Sequence, residues 1–202
     1  MSFPRLSTIE TLVVRRAALA DSLWDAARLD AGSFDVQPRN VSLGDLVRLW
    51  VEGMLPAAHA RGVTRTAHIH ESPVVFADDL RLAQAVTRLV SNAIDFTPCG
   101  GEIDVDVGVL DRRALLCVCD TGHGMTKAQL DRCFESPSQR ADRSPLRDTL
   151  AIGLFVVRGI VELHQDSIRA FSAGQGCGST ITITLPAIPP GPISTSSRDN
   201  HE

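Results

Sequence analysis

The sequence predicts an α/β two-layer sandwich, a mixed five-stranded sheet with helices packed on one face, preceded by one long helix. Five short segments carry apolar residues in strand-like spacing, and about four longer segments carry them in helical spacing. Helices and strands that interleave along one chain are typical of a layered domain. With 202 residues and 44% hydrophobic content, the chain can bury one sizeable core.

A near-heptad apolar stripe predicts the long helix at the front of the chain. One helix cannot bury such a stripe alone, so it either docks onto the chain's own domain or packs against a helix of another chain. A homodimer is one source of that second helix. Gly32 follows the stripe in a C-cap position. The stripe consists of Ile9, Leu12, Val13, Leu19, Leu23, Ala26 and Ala27.

The next elements follow from capping residues and alternation. Ser42 and Asp45 form a capping-box-like start for a helix that runs to about Ala60. Alternating residues then predict a strand at 63–70. Later segments are predicted as a hairpin of strands at 103–109 and 114–119, a short helix from Thr126 to Phe134, a helix at 150–164, and strands at 167–172 and 179–185.

An amphipathic helix is predicted in the segment Asp79–Pro98, stopped by Pro98. One stripe of this helix carries a cation, an amide, a carboxylate and an aromatic ring, at Arg88, Asn92, Asp95 and Phe96. The Asn92 amide oxygen is a suitable ligand for Mg²⁺. A half-exposed polar helix face is the alternative interpretation of the same residues.

A second group of polar residues and glycines follows the strand predicted at 114–119. Asp120-Thr-Gly-His-Gly-Met125 comes where the chain must turn, and the Asp120 carboxylate can accept a hydrogen bond from an exocyclic amine. Glycines at 122 and 124 allow positive φ and a close approach of the backbone to a ligand. An ordinary turn is the alternative, since Asp and Gly are common turn residues.

These motifs together resemble the ATP-binding domain of sensor histidine kinases, a family that also includes DNA gyrase and a heat-shock chaperone. Ser91–Ile103 is similar to the asparagine box, and the segment at Asp120 is similar to the first glycine box. Phe134 falls where the phenylalanine box begins. Gly153–His164 and Gly174–Pro186 resemble the last two conserved segments, although Ile181 takes an aromatic position.

The resemblance implies a Bergerat-type fold that binds ATP and Mg²⁺ under a mobile lid at about 135–150. It implies that Asp120 accepts from the adenine amino group, that Phe96 contacts the base and that Thr180 supports it from the last strand. It identifies no catalytic residue. The implied binding residues are Asn92, which is also the metal ligand, Phe96, Asp120, Gly122, Gly124, Met125, Gly153, Leu154 and Thr180.

Departures from the family pattern cluster at the phosphate end. Arg88 stands in place of an asparagine, Asp95 in place of a cation, and Thr149–Gly153 keeps only the last of three loop glycines. A carboxylate about 6 Å from a phosphate costs on the order of 2 to 3 kcal/mol at an effective dielectric near 20. Triphosphate affinity is therefore expected to fall by roughly one to three orders of magnitude. The sequence leaves open whether Arg88 restores the lost charge or pairs with Asp95.

The resemblance divides the chain into three parts. Residues 1–33 resemble the second helix of a dimerisation and phosphoacceptor hairpin, 42–186 the ATP-binding domain, and 187–202 a linker or disordered tail. None of the six histidines has the phosphoacceptor context, so phosphoryl transfer from ATP is expected to reach a histidine on another chain. The expected partners are that hairpin domain, a response regulator and a second copy of the chain. The alternatives are a degenerate docking module and a serine kinase of the anti-sigma-factor type.

Composition predicts a cytoplasmic protein. A net charge of −4 gives no reason to expect binding to nucleic acid, and no apolar run approaches the 18 residues of a membrane span. The five cysteines include no C-x-x-C pair. Cys117 and Cys119 share one face of a predicted strand, and reduced core thiols are favoured over zinc ligands.

Overall fold

A computed structural model describes residues 20–136 and 145–189, with only the backbone for residues 145–150. The described part of the first helix, α1, covers residues 20–30. The other elements are β1 (Arg39–Ser42), α2 (Leu43–Gly53), α3 (Leu55–Ala60), β2 (Thr64–Ile69), β3 (Val74–Ala77), α4 (Asp79–Phe96), β4 (Glu102–Leu110), β5 (Arg113–Asp120), α5 (Lys127–Asp131), α6 (Pro145–Leu163), β6 (Ile168–Phe171) and β7 (Ser179–Pro186).

The main sheet has the strand order β2-β4-β5-β7-β6. The β2–β4 pair is parallel and the other pairs are antiparallel, so the predicted mixed five-stranded sheet is confirmed. Alternate residues of the central strands are buried, as the period of a strand requires. They belong to the hydrophobic core and include Ile103, Val105, Val107, Ala114, Leu116, Val118, Ile181, Ile183 and Leu185.

Helices α2, α4 and α6 form the second layer, with α4 packed between the other two. The predicted helix before Pro98 is confirmed as α4: the Asp78 carboxylate accepts from the Arg81 backbone N–H at 3.0 Å and caps its first turn, and the helix ends at Phe96. Thr126 caps α5 through a reciprocal capping box with Gln129. None of the described helices is long and apolar enough to span a membrane.

Several element boundaries differ from the prediction. The helix predicted from residue 42 to residue 60 is interrupted at Met54, because Pro56 has no N–H and its ring blocks a continuous helix. Helix α5 ends at Asp131, with turns up to Phe134. Helix α6 begins at Pro145 rather than at 150, so the end of the predicted lid is helical, and residues 137–144 lie outside the described residues.

Two short strands, β1 and β3, form a second antiparallel sheet that was not predicted. The first residues of the predicted tail lie beside strand β3 of this second sheet. Ala187 pairs with Val75, and the Ile188 N–H donates to the Val74 carbonyl oxygen at 2.8 Å. The prediction of a tail from residue 187 is therefore wrong for its first two residues, and residues 190–202 lie outside the described residues.

The described part of α1 docks onto the chain's own helical layer. Gly32, with φ of +64°, ends it as predicted. Ala26 is buried, and Leu29 packs so closely on α6 that a Cβ at Gly159 would lie 2.6 Å from the Leu29 Cδ1. Leu23 and Ala27 of the predicted stripe are exposed, and its first four members lie outside the described residues. An intermolecular role for the stripe therefore stays a prediction.

The five cysteines are free, and the described residues contain no group of three acidic, histidine or cysteine side chains arranged to hold a metal ion. Cys117 and Cys119 do share a face of β5. They are only partly buried, because that face is the one turned away from the helices, and the expectation of core positions is wrong for both. Burial raises the pKa of the Cys117 thiol.

Candidate functional site

A cleft that is partly open to solvent lies between α4, the end of β5, α6 and the start of β7. Its walls are mostly apolar, with an amide, a carboxylate and a hydroxyl as the polar groups. The lining residues are Leu89, Asn92, Ala93, Phe96, Val118, Asp120, Gly124, Met125, Leu154, Ser179 and Ile181.

The Asp120 carboxylate is the charged group of the cleft. Asp120 lies at the end of β5, with its side chain on the face turned towards the helices. One carboxylate oxygen, Oδ1, accepts from the Gly122 backbone N–H at 2.8 Å, and the Ser179 N–H also donates to the carboxylate. Burial raises the pKa of Asp120 above its ordinary value, and these two hydrogen bonds and nearby His123 oppose the rise. The carboxylate is thus held in place with acceptor capacity directed into an apolar cleft.

The loop after Asp120 is fixed between α4 and the β6–β7 connection. The His123 N–H donates to the Phe96 carbonyl oxygen at 3.0 Å, and the His123 carbonyl oxygen accepts from the Gly176 N–H at 2.7 Å. Gly124 has a φ of +62° and lines the cleft, as predicted. Gly122 does not have a positive φ. A Cβ there would lie 2.3 Å from the Phe96 carbonyl oxygen, so the prediction for Gly122 is corrected: it allows loop and helix to approach closely.

Asn92 brings an unsatisfied amide to the cleft. Its Nδ2 is buried and has no hydrogen-bond partner among the described residues. A buried amide without a partner is costly, and a bound polar ligand would remove that cost. Gly153 lies beside it, since a Cβ at Gly153 would be 3.4 Å from Nδ2, and Leu154 lines the cleft directly. The Asn92 amide and the Asp120 carboxylate therefore fit a ligand that has both polar and apolar parts.

The predicted role of Thr180 is wrong. Strand alternation puts Thr180 on the outer face of β7, where its hydroxyl donates to the Cys119 Sγ at 3.4 Å. Ser179, which pairs with Asp120 across the strands, lines the cleft in its place. Of the other predicted site residues, the structure brings Asn92, Phe96, Asp120, Gly124, Met125 and Leu154 to the cleft wall, with Gly122 and Gly153 behind it.

Several lining residues were not predicted as site residues: Leu89, Ala93, Val118, Ser179 and Ile181. Two of them carried a usable signal in the sequence. Val118 lies two residues before Asp120 on one strand, so both must face the same side of the sheet. Ala93 follows Asn92 on the predicted helix, one turn after Leu89.

Arg88 and Asp95, the two charged departures in α4, both turn away from the cleft. Arg88 donates to the Ser22 hydroxyl of α1, and burial lowers its pKa against the opposing effect of Asp25 and Asp21. The Arg61 Nη2 lies 3.5 Å from the Asp95 Oδ1 and donates to the Asp95 carbonyl oxygen at 2.8 Å. The question that the sequence left open is thus answered, because Arg88 and Asp95 have different partners.

The segment in place of the phosphate loop is helical. Residues 149–153 belong to α6, and Ala151 is buried in the core. Beyond the first turn of a helix, backbone N–H groups are bonded within the helix and are not available to a phosphate. The described cleft-lining residues also include no lysine, arginine or histidine. The described site is therefore complementary to the nucleoside end of a nucleotide more than to a triphosphate.

The architecture is a two-layer α/β sandwich with a cleft between its helical layer and the ends of β5 and β7. The sequence profile of the histidine kinase-, DNA gyrase B- and HSP90-like ATPases matches residues 77–189. The chain therefore belongs to this ATPase family.

Its relatives include sensor kinases. The chain is 31% identical over 188 residues to the sensor protein DivL of Caulobacter vibrioides. The match covers 90% of this chain and 23% of DivL. It is 29% identical over 178 residues to the autoinducer 2 sensor kinase/phosphatase LuxQ of Vibrio harveyi, covering 84% of this chain and 20% of LuxQ. The chain thus spans about a fifth of the length of these relatives.

Solved structures share the fold. The Acinetobacter baumannii histidine kinase AdeS has a TM-score of 0.69 at 17% identity, and the match covers 92% of this chain and 86% of the AdeS chain. Full-length ShkA in complex with AMPPNP has a TM-score of 0.71 at 23% identity, covering 93% of this chain and 40% of ShkA. At these identities the likeness supports the architecture alone.

Proposed function

We propose that the cleft binds an adenine nucleotide and that the chain is the ATP-binding domain of a two-component histidine kinase system. One observation carries the proposal: a buried, unpartnered Asn92 amide and the Asp120 carboxylate face the same apolar cleft. A nucleotide offers a flat apolar base with an amino donor at one end and charged oxygens at the other. The membership of the ATPase family supports the assignment.

At the base end, we propose that Asp120 accepts from the adenine amino group. Phe96, Met125 and Leu154 would contact the base, since apolar side chains of the cleft provide the desolvated environment in which such a hydrogen bond is strongest. Ser179 takes the supporting role first expected of Thr180. Gly124, with a φ of +62°, would let the loop backbone approach the ligand closely.

At the phosphate end, we propose that Asn92 holds Mg²⁺ through its amide oxygen or a phosphate oxygen through its amide nitrogen. Mg²⁺ held there would neutralise part of the phosphate charge. The described cleft-lining residues contribute no positive charge here, Arg88 and Asp95 have partners elsewhere, and residues 149–153 are helical. Weak discrimination between ATP and ADP and slow transfer are the expected results.

The acceptor and the partners follow from the proposed role. Residues 1–33 would supply the second helix of a dimerisation hairpin, and a histidine on another kinase chain would receive the phosphoryl group. A response regulator in the cytoplasm would then accept the phosphoryl group from that histidine. The sensor kinases among the relatives support this placement. A second candidate, a degenerate docking module, is favoured by the absence of a cation among the described cleft-lining residues.

Calorimetric titrations with ADP and ATP, each with and without Mg²⁺, would test the proposal. Saturable 1:1 binding of either nucleotide is expected, with similar affinities for the two. Transfer to a separately supplied histidine-bearing hairpin domain is then assayed for the wild type and for Asp95→Lys with Thr149→Gly and Ala151→Gly. Faster transfer by the triple variant would support a weakened kinase, whereas binding without transfer by either protein would favour the docking module. Absence of binding would overturn the nucleotide assignment.

A further inference from the structure

The contact between α1 and the helical layer is polar as well as apolar. Ser22 and Asp25 are 1% and 7% exposed, so two polar side chains of a helix near the chain's start are buried against the domain. The Asp25 carboxylate accepts from the Gln84 amide at 2.5 Å, and an Arg81 Nη1 lies 4.0 Å away. Arg88, one turn after Gln84, donates to the Ser22 hydroxyl. These partners all belong to α4.

The end of α1 also contacts Ser136 and helix α6. The Ser136 hydroxyl donates to the Asp30 carboxylate, with distances of 2.9 and 3.3 Å to its two oxygens. Ser136 directly precedes residues 137–144, the segment that leads into α6. The Leu29 side chain fills the surface left open by Gly159 on α6. Phe34, just after α1, is covered by the Arg81 guanidinium 4.2 Å from its ring centroid.

We propose that these contacts form a clamp that couples the seating of α1 to nucleotide binding in the cleft. The clamp consists of Ser22, Asp25 and Asp30 on α1 with Gln84, Arg88 and Ser136 opposite. Arg88 is then a positioning residue, anchored to α1 at a sequence position where the family has an asparagine. The inference deepens the proposed function and rests on it.

The coupling follows from the short distances along the two helices that form the cleft. Arg88 and the cleft residue Asn92 are one helical turn apart, about 6 Å along α4. Gly159 and the cleft residue Leu154 are about 7.5 Å apart along α6. If α1 dissociates from the helical layer, Arg88 and Gln84 lose their buried hydrogen-bond partners on α1. Gly159 then loses its contact with the Leu29 side chain. The positions of α4 and α6 that define the cleft are then less well fixed.

Linkage makes the effect reciprocal. If a seated α1 favours the arrangement that binds nucleotide, a bound nucleotide must favour the seated α1 by the same factor. Loss of one clamp contact is expected to change nucleotide affinity by roughly 3- to 30-fold, the range of coupling effects from residues that do not touch the ligand.

The test uses the full chain with Ser22→Ala and Asp25→Ala, which lie on α1 and outside the cleft lining. Trp24→Ala, an exposed position on the same helix, is the matched control. Calorimetry measures ADP and ATP binding in the presence of Mg²⁺. Hydrogen exchange of the amides in residues 20–32 measures the seating of α1 with and without ADP. Ser22→Ala removes only a hydroxyl and should fold. If Asp25→Ala does not fold, Ser22→Ala alone still tests the coupling.

Both clamp variants should bind ADP more weakly by the stated factor, and ADP should slow exchange of residues 20–32 in the wild type more than in either variant. Trp24→Ala should behave as wild type in both measurements. Unchanged exchange upon ADP binding, or unchanged affinity in Ser22→Ala, would overturn the coupling but leave the nucleotide site intact. An increased ATP affinity would also overturn it, since a released Arg88 would then be contacting phosphate. No nucleotide binding by the wild type would refute the proposed function and the coupling together.

Discussion

Asp120→Asn separates the proposed binding role of this carboxylate from its effect on stability. The substitution keeps the shape of the side chain and leaves an amide oxygen that can accept from the Gly122 N–H, now 2.8 Å from Oδ1. It replaces the second oxygen by an NH₂ group. That group would meet the adenine amino group donor to donor. Removal of one buried hydrogen bond with an unsatisfied partner costs about 1 to 3 kcal/mol. ADP affinity should therefore fall by roughly 5- to 150-fold.

The difference in stability between this variant and the wild type should depend on pH, and the direction of that dependence follows from the shifted pKa of Asp120. Burial raises the pKa of Asp120 in the folded state above its ordinary value of 3.8. Between that value and the raised pKa, the folded state holds more protons than the unfolded state, so the Asp120 contribution to stability falls as pH rises. Above the raised pKa the wild type has lost the whole of this contribution to its stability, and below pH 3.8 it has lost none of it. A neutral asparagine does not titrate and does not carry this cost.

Two assays check these results. Calorimetry with ADP gives the affinity, and urea denaturation from pH 3.5 to 8 gives the free energy of unfolding of variant and wild type. The variant minus wild-type difference should increase as pH rises from about 4 and then level off. Asp104→Asn, on the opposite face of the sheet, is the control and should leave ADP affinity unchanged. An ADP affinity within twofold of wild type in Asp120→Asn would refute the adenine assignment.

Three further outcomes are expected. Gly122→Ala should lower the free energy of unfolding in urea by about 1 to 3 kcal/mol, because its Cβ would meet a main-chain carbonyl oxygen at 2.3 Å; Gly53→Ala, with open space around it, should not. Ser179→Ala should weaken ADP binding in calorimetry while Thr180→Val should not, and the reverse result would restore the original assignment. His164→Ala should cost about 2 to 4 kcal/mol in thermal or urea unfolding, since its two ring nitrogens bond buried backbone groups at 2.7 and 2.8 Å; a loss under 1 kcal/mol would contradict this.

Local periodicity was enough to predict the main elements, and it failed where the chain pairs over long distances. Helix α4 and the β4–β5 hairpin were predicted because their patterns are continuous and their ends carry caps or turn residues. The β1–β3 sheet joins two four-residue strands about 35 residues apart, and no pattern within so short a segment identifies a strand.

The structure brings predicted residues to the cleft wall where a motif and the geometry coincide, as at Asn92, Asp120 and Gly124. The error at Thr180 arose because a motif does not specify strand register. A shift of one residue moves a side chain to the other face of the sheet. The role of Gly122 depends on how closely the end of α4 approaches the loop, and this is a property of the tertiary fold.

The long-range partners of the charged residues also change the electrostatic argument at the phosphate end. The sequence-based penalty of 2 to 3 kcal/mol assumed that Asp95 stands alone. The Arg61 guanidinium lies 3.5 Å away and its opposite charge offsets that of Asp95, and both side chains are 39% exposed, so water screens the field that remains. Any weakness towards triphosphate must then come from what the described site lacks: a cation in the cleft lining and free backbone N–H groups at residues 149–153. Removing the Asp95 carboxylate alone would not correct either deficit.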